Sequence, residues 1–513
     1  MSRAMLTIRH YYQQGEVDEY LPRTIPRPLD LETGEGKRGF YIDEKDDILY
    51  VEFEDGDKRN PINYSPFRKW AITLVACYFT ALSAATASSF SSGFPSMTRD
   101  LNCSTYLATV GLAVYPLGFG IVPLFAAPFS EELGRLPLYM VSALGFLLWQ
   151  VMIAAATNIQ TVIVGRFLLG AFGSTGSTMV GGSLADIWRP HERGFPMSIF
   201  AFCAIAGTGM GPVGAGWIEA NPHFEWRWIQ WIHVIAAGTC LAAILIFMKE
   251  TRTTVLLTRY AKKLRKETGE TRYRSKAELE LPSLKTLLYI SCTRPMRLIL
   301  TEPVVTSISL WVGFAWGILY CIIESVAPAF RSVHGFGTGE VGTVFAALVV
   351  GSIFGFVSNF HQEKLYRQGV LKRGPEARLY WACVSGILFP IGMFIYAWTT
   401  FPHVPWIAMV IGLTIFMWGT FMIYLAAFSY LADCYGPYAS SAIAGQSLCR
   451  NLMGTIFPLF TTRMFDALTY KWGNTLFACV ATLMAPIPFL LFFYGPEIRK
   501  RSTFSHRAME MQH

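Results

Sequence analysis

The chain has 513 residues, 52% hydrophobic and only 15% charged, with a mean hydropathy of +0.36. Soluble proteins carry about 25% charged residues, so the composition excludes a water-soluble globular enzyme and points to a chain that crosses a membrane repeatedly. Basic residues exceed acidic ones, 43 against 35, but they sit in loops between apolar runs, which argues for membrane topology and against nucleic acid.

In chain order, residues 1–69 are polar, with 11 Lys/Arg and 14 Asp/Glu, and carry breakers such as Ile25-Pro26-Arg27-Pro28. This stretch reads as a mostly disordered cytoplasmic arm, with a short strand allowed at Ile48–Phe53. The first apolar run begins near residue 71, after the polar arm, so no cleavable signal peptide is expected. A spanning helix needs about 20 apolar residues. Twelve such spans follow, at 70–91, 105–127, 137–156, 160–184, 195–217, 228–248, 303–327, 340–360, 379–399, 404–430, 440–462 and 474–494. The basic segment 249–302 divides them into bundles at 70–248 and 303–494, and 495–513 is a tail. Counting Lys and Arg, 36 fall on the side of the arm and five (Arg99, Arg227, Arg331, Arg463, Lys471) on the other. The positive-inside rule then places both termini in the cytoplasm. The fold class is all-α polytopic: twelve transmembrane helices in two six-helix bundles. Leu184-Ala185-Asp186 closes span 4 and Leu431-Ala432-Asp433 closes span 10, and Pro212 and Pro458 follow at nearly equal distances, as parallel repeats require.

Four stretches carry the functional signal. The loop after span 2 reads Pro128-Phe129-Ser130-Glu131-Glu132-Leu133-Gly134-Arg135. Span 4 holds Gly165-Arg166-Phe167-Leu168-Leu169-Gly170, an arginine that costs about 2.5–3.5 kcal/mol to insert and is therefore expected to face a polar cavity. Span 5 is rich in glycine: Gly207, Gly209, Gly211, Gly214 and Gly216, with Pro212. Gly209 to Gly214 also fits Gly-x-Gly-x-x-Gly, but a dinucleotide site needs a preceding strand, and none is present. The glycines read as a surface where another helix comes close, and Pro212 as a kink. Span 7 holds Glu324 in Tyr320-Cys321-Ile322-Ile323-Glu324, a carboxylate able to take up a proton or bind a cation. Arg450 in span 11 reads as a cavity-facing structural or gating charge.

These stretches resemble the major facilitator superfamily, and most closely its fungal twelve-span drug:proton antiporters. Ser130, Glu131, Gly134 and Arg135 match the cytoplasmic loop motif in its Pro-x-Ser-Glu-x-x-Gly-Arg form. Arg166 and Gly170 match the span-4 motif, with Leu169 in place of Gln. Gly207, Gly211, Pro212 and Gly216 match the span-5 antiporter signature, with Ser198 and Ala215 in two glycine places. Asn60-Pro61-Ile62-Asn63-Tyr64-Ser65 and Tyr435-Gly436-Pro437-Tyr438 extend the likeness over about residues 60–502. The resemblance implies a proton-coupled exporter of a small organic molecule (drug, toxin or secondary metabolite), the alternative being a proton-coupled importer of nutrients or polyamines. It implies Glu131, Gly134, Arg135 and Asp186 as a conformational latch, with Arg135 paired to Asp186. Proton coupling is assigned to Arg166 and Glu324, and the cavity to Arg450, Tyr115, Tyr320 and Tyr424.

Aromatics crowd spans 7 and 10 (Trp311, Phe314, Trp316, Phe416, Trp418, Phe421), half of them expected to serve helix packing only. Asn102-Cys103-Ser104 is a glycosylation sequon on the outside. The ten cysteines show no disulfide or zinc spacing. His191-Glu192 does not complete His-Glu-x-x-His, and no Gly-Lys-Ser/Thr phosphate loop occurs. No catalytic residue, metal or cofactor is expected: protons, the small organic substrate and membrane lipids are the partners, the central segment lying against anionic lipid. A monomer in the plasma membrane, or else the vacuolar membrane, is expected.

Overall fold

The computed structural model describes residues 40–43, 48–54, 56–189, 192–280, 284–500, 502 and 504. With no water in the bilayer core, each backbone N–H and C=O must bond within its own segment. The apolar runs therefore become long helices. The first bundle comprises α1 (Pro66–Ser89), α2 (Thr105–Glu132), α3 (Arg135–Ala154), α4 (Ile159–Ile187), α5 (Gly194–Glu219) and α6 (Glu225–Phe247). The second comprises α7 (Pro303–His334), α8 (Ala346–Arg373), α9 (Tyr380–Trp398), α10 (Trp406–Tyr435), α11 (439–468) and α12 (470–500, interrupted at Ala485). Among the described residues, nine stretches are apolar and long enough to cross a membrane. Two of these, Thr338–Trp398 and Ala439–Lys500, run to 61 and 62 residues and each turns back once. With α4 this makes twelve crossings.

Several helices outrun their apolar segments. α7 continues to His334, where Gly335 stops it in the left-handed region at φ 70°, and α8 continues to Arg373. Hydropathy marks only the part in hydrocarbon, whereas hydrogen bonding continues into the headgroup layer. The sequence also suggests a loop over 463–473 between the last two spans. The chain instead reverses at one residue, Thr469, with φ 64° and ψ 163°.

The two halves repeat one pattern of neighbours. In the first, α1 packs on α5, α2 on α4 and α3 on α6; in the second, α7 packs on α11, α8 on α10 and α9 on α12. Two seams join the halves, α2 against α11 and α5 against α8. We call the side where α1 begins the entry face and the opposite side the far face.

Residues expected in a disordered arm are partly ordered. Strand β1 (Phe40–Asp43) pairs antiparallel with β2 (Ile48–Val51), and β2 pairs in parallel with β3 (Tyr273–Arg274) from the central segment. The first 39 residues of the arm lie outside the described residues. The central segment is mostly helical, at Thr253–Thr268, Lys276–Glu280 and Leu284–Thr301. Arg265 clasps Glu278 with both ends of its fork, at 2.7 and 2.9 Å, and the Arg59 guanidinium lies 4.3 Å from the Tyr260 ring centre. A short strand whose partner is more than 200 residues away leaves no pairing signal in sequence.

The glycines of α5 serve two neighbours at once. A Cβ at Gly207 would lie 2.8 Å from the Ala81 carbonyl oxygen, and one at Gly211 2.3 Å from that of Ala85, both on α1. A Cβ at Gly209 would meet Val349, Leu348 and Phe345 at about 3 Å, and one at Gly216 would lie 2.6 Å from Gly342 Cα, all in the second half. Without a hydrophobic force between helices in lipid, backbone approach of this kind is what holds them. Pro212 is accommodated within the continuous helix Gly194–Glu219. We expect Gly211→Leu to abolish flux in correctly folded protein, while Gly214→Ala, whose Cβ meets nothing within 4 Å, leaves flux near wild type. Normal flux from monodisperse Gly211→Leu would remove the packing role.

Candidate functional site

A cavity of about 420 Å³ lies between the bundles and reaches the entry face. Its walls run from Ser83, Tyr115 and Tyr320 near mid-membrane down to Ser130, Arg135, Gly182 and Ser440. Such a volume suits a drug-sized ligand. Trp316, Phe119, Phe200 and Phe428 supply apolar faces. Of the eight aromatics singled out in spans 7 and 10, Trp316, Tyr320 and Tyr424 line the cavity; Phe314 instead packs on Phe457 and Phe477, and Phe389 on Phe416. Gln446 and Asn451, polar residues inside an apolar span, also line it. Their polarity was the signal available for finding them.

The three ionic residues expected at the cavity occupy different places. Arg450 lines it, with its Cζ 4.4 Å from the Trp316 ring centre and 5.1 Å from that of Tyr424. Arg166 does not line it. It is fully buried behind Tyr115, and it donates to the carbonyls of Thr86 (2.9 Å), Ala87 (3.2 Å) and Gly111 (3.2 Å). Two of those carbonyls close the last turn of α1, where a helix leaves acceptors without intrahelical partners. Phe90 and Tyr115 cover the guanidinium at 4.2 and 4.5 Å. A polar environment for this arginine therefore comes from backbone carbonyls of α1 and α2, not from the cavity.

Glu324 also stands outside the cavity, one turn farther along α7 than Tyr320. Its Oε1 accepts from Thr109 on α2 at 2.7 Å and from Thr462 on α11 at 2.9 Å. Its Oε2 is buried and has no hydrogen-bond partner, and no ion pair among the described residues involves it. The carboxylate thus joins both bundles at the far end of the α2–α11 seam. Beside it, Ser91 donates to the Ile323 carbonyl at 3.1 Å. On the α5–α8 seam, Ser198 accepts from Asn359 at 2.9 Å, so one of the residues standing in a glycine place makes a contact between halves.

Of the residues expected to form a latch, Arg135 and Asp186 meet at the entry face. Arg135 donates to Asp186 at 3.3 Å and to Ser130 at 3.1 Å. A Cβ at Gly182 would lie 2.4 Å from Arg135 Nη2, so that glycine makes room for the guanidinium. The side chain of Glu131 lies outside the described residues. Glu250 was not singled out in sequence. It accepts from the backbone N–H groups of Arg135 (2.9 Å), Leu136 (3.2 Å), Thr251 (3.0 Å) and Arg252 (2.9 Å). It caps α3 from a distant segment, because the residue at the cap position is Gly134, at φ 100°. The second half has its own version: Arg378 donates to Asp433 at 2.8 Å and to Glu363 at 2.6 Å. Glu302, just before α7, is fully buried and accepts from Tyr435, Ser502 and the Phe504 amide. Asn102 is exposed, with φ 46°, in the turn before α2.

A two-bundle fold of parallel repeats around a central cavity is the architecture of a membrane transporter. The sequence matches the Major Facilitator Superfamily over residues 76–458, and the chain belongs to that superfamily. It is 34% identical to the efflux pump radE of Floropilus chiversii, over 87% of this chain and 84% of that one. It is 32% identical to the multidrug transporter mdrA of Aspergillus fumigatus (90% and 77% covered), and 33% identical to the citrinin biosynthesis cluster transporter mrr1 of Monascus ruber (90% and 93% covered). The fold is similar to that of the proton:xylose symporter XylE, with a TM-score of 0.60 at 15% identity, covering 84% of this chain and 96% of that one.

Removing a helix cap costs about 0.5–2 kcal/mol, and Glu250 serves four amides at once. We expect Glu250→Ala to lower the melting temperature of the purified protein by several degrees and Glu250→Gln, which keeps the acceptor, by less. Unchanged melting in both would show that the cap is dispensable.

Proposed function

We propose that this protein is a proton-coupled antiporter that exports a small organic molecule by alternating access, as a monomer in the plasma membrane with its entry face in the cytoplasm. The names of its relatives support export, and the excess of Lys and Arg on the entry side supports the orientation. The observation that carries the coupling is Glu324. A carboxylate that links α2, α7 and α11, with one oxygen unpartnered, changes its surroundings whenever the far face parts. For the far face to open, Thr109 and Thr462 must separate, and Glu324 then meets water from that side. A proton taken at Oε2 from the far side lets the carboxylate be buried neutral as the seam recloses, and its onward delivery to the entry face accompanies the outward movement of substrate. Arg166 contributes by holding the end of α1 to α2 and α4, so that the first bundle moves as a unit around this seam. The latch at Arg135 and Asp186 steadies the entry end of the same bundle.

The test uses proteoliposomes loaded with a pH dye and exposed to a panel of aromatic polyketides, azole fungicides and polyamines. Substrate moving against protons, with a dye response, is the expected result; substrate moving with protons would make the protein an importer. Glu324→Gln is expected to lose gradient-driven transport by at least about a hundredfold, the scale on which removing one essential proton-transfer group acts, while still exchanging labelled substrate without a gradient. Full gradient-driven transport in Glu324→Gln would assign the coupling elsewhere.

A further inference from the structure

The charges facing the cavity are all positive among the described lining residues. Arg135 and Arg450 carry them, and no Asp or Glu lines the space, because Glu324 stands in the far seam. Arg135 is matched by Asp186. Arg450 is not matched. It is 7% exposed, its Nε has no partner, and among the described residues its one hydrogen bond is to the neutral Ser447 hydroxyl at 3.4 Å. One turn earlier on the same face of α11, Gln446 is 3% exposed and its Nε2 is also without a partner. Two residues that line the cavity, four apart on one face of α11, therefore each hold a buried donor with no acceptor among the described residues. Buried donors left unmade are costly, and a buried guanidinium more so. An arginine's planar fork is shaped for a carboxylate. The Trp316 and Tyr424 rings, 5.6 Å apart, both lie to one side of the guanidinium, which leaves its N–H groups as the remaining binding surface.

We propose that the cavity selects planar aromatic carboxylates, with the carboxylate held by Arg450 and Gln446 and the ring system against Trp316, Tyr320 and Phe428. This assigns Arg450 to substrate recognition, where the sequence suggested a gating charge, and it disfavours polyamines, which would bring a second positive charge beside an unneutralised one. The assignment rests on the reading of the cavity as the transport site, and it is tested without any proton gradient.

The experiment measures equilibrium binding to the purified full chain in lipid nanodiscs. Three probes share one ring system: naphthalene-1-acetate, its methyl ester and 1-naphthylmethylammonium. The acid is expected to bind at least about tenfold tighter than the ester, the scale of one charge-assisted hydrogen bond, and the cation is expected to show no binding. Arg450→Gln should bring the acid down to the level of the ester and leave the ester unchanged. Arg450→Lys, which keeps the charge and loses the fork, should fall between. Size-exclusion profiles and melting curves establish that both variants are folded. Equal binding of acid and ester by the wild type, strongest binding of the cation, no binding of the acid, or an acid preference that survives in Arg450→Gln would each overturn the proposal. Loss of proton coupling in the flux assay with intact acid binding would count against the antiport reading alone; intact coupling with no acid preference would count against this one alone.

Discussion

The backbone of α5 runs close to two other helices at the same time, and the rest of the architecture depends on that. Gly207 and Gly211 bring it against α1 inside its own bundle, while Gly209 and Gly216 bring it against α8 and the short helix before it in the other bundle. In lipid, apolar side chains gain nothing by leaving the solvent for each other, so close packing and polar contacts have to hold helices together. A side chain at any of these four positions would push the halves apart or split the first bundle. The α5–α8 seam is consequently tight along its length, from Ser198–Asn359 at the entry face to Gly216–Gly342 at the far face.

Around that contact, each ionic group in the membrane is placed by what it can find to bond. Arg166 finds carbonyls at the end of α1 and becomes a staple. Glu324 finds two hydroxyls on facing bundles and becomes part of the seam between them. Arg450 finds aromatic faces and one distant hydroxyl, and remains the group in the cavity that still wants an anion. The same residue types would be interchangeable in a list of motifs; their partners place one at the end of a helix, one in the seam between bundles and one at the cavity.

The entry face shows how the repeat was built. Both halves tie a loop arginine to the acid that ends the fourth helix of the bundle, Arg135 to Asp186 and Arg378 to Asp433. In the first half, a carboxylate from beyond α6 completes the cap of α3, which links the central segment to the Arg135–Asp186 pair. The central segment in turn pairs with the arm through β2 and β3. Chain segments that connect the bundles are thereby fastened to the first bundle.

Sequence alone was sufficient for whatever depends on the bilayer as a solvent. The twelve helices follow from apolar length, the loop charges from the cost of placing them in hydrocarbon, and the close contact on α5 from its glycines. The repeat was legible in Asp186 and Asp433, since position in the count preserved it. Tertiary structure alone decided which side of each helix faces the cavity. Apolar, cavity-facing and seam-facing residues share one composition in spans 7, 10 and 11, so nothing in their order separates Tyr320, which lines the cavity, from Glu324, which stands one turn away in the seam. It also decided that Glu250 caps α3 and that β3 completes the sheet with β2, because those partners lie more than 100 and 200 residues apart and their contact is made by folding, not by any local pattern.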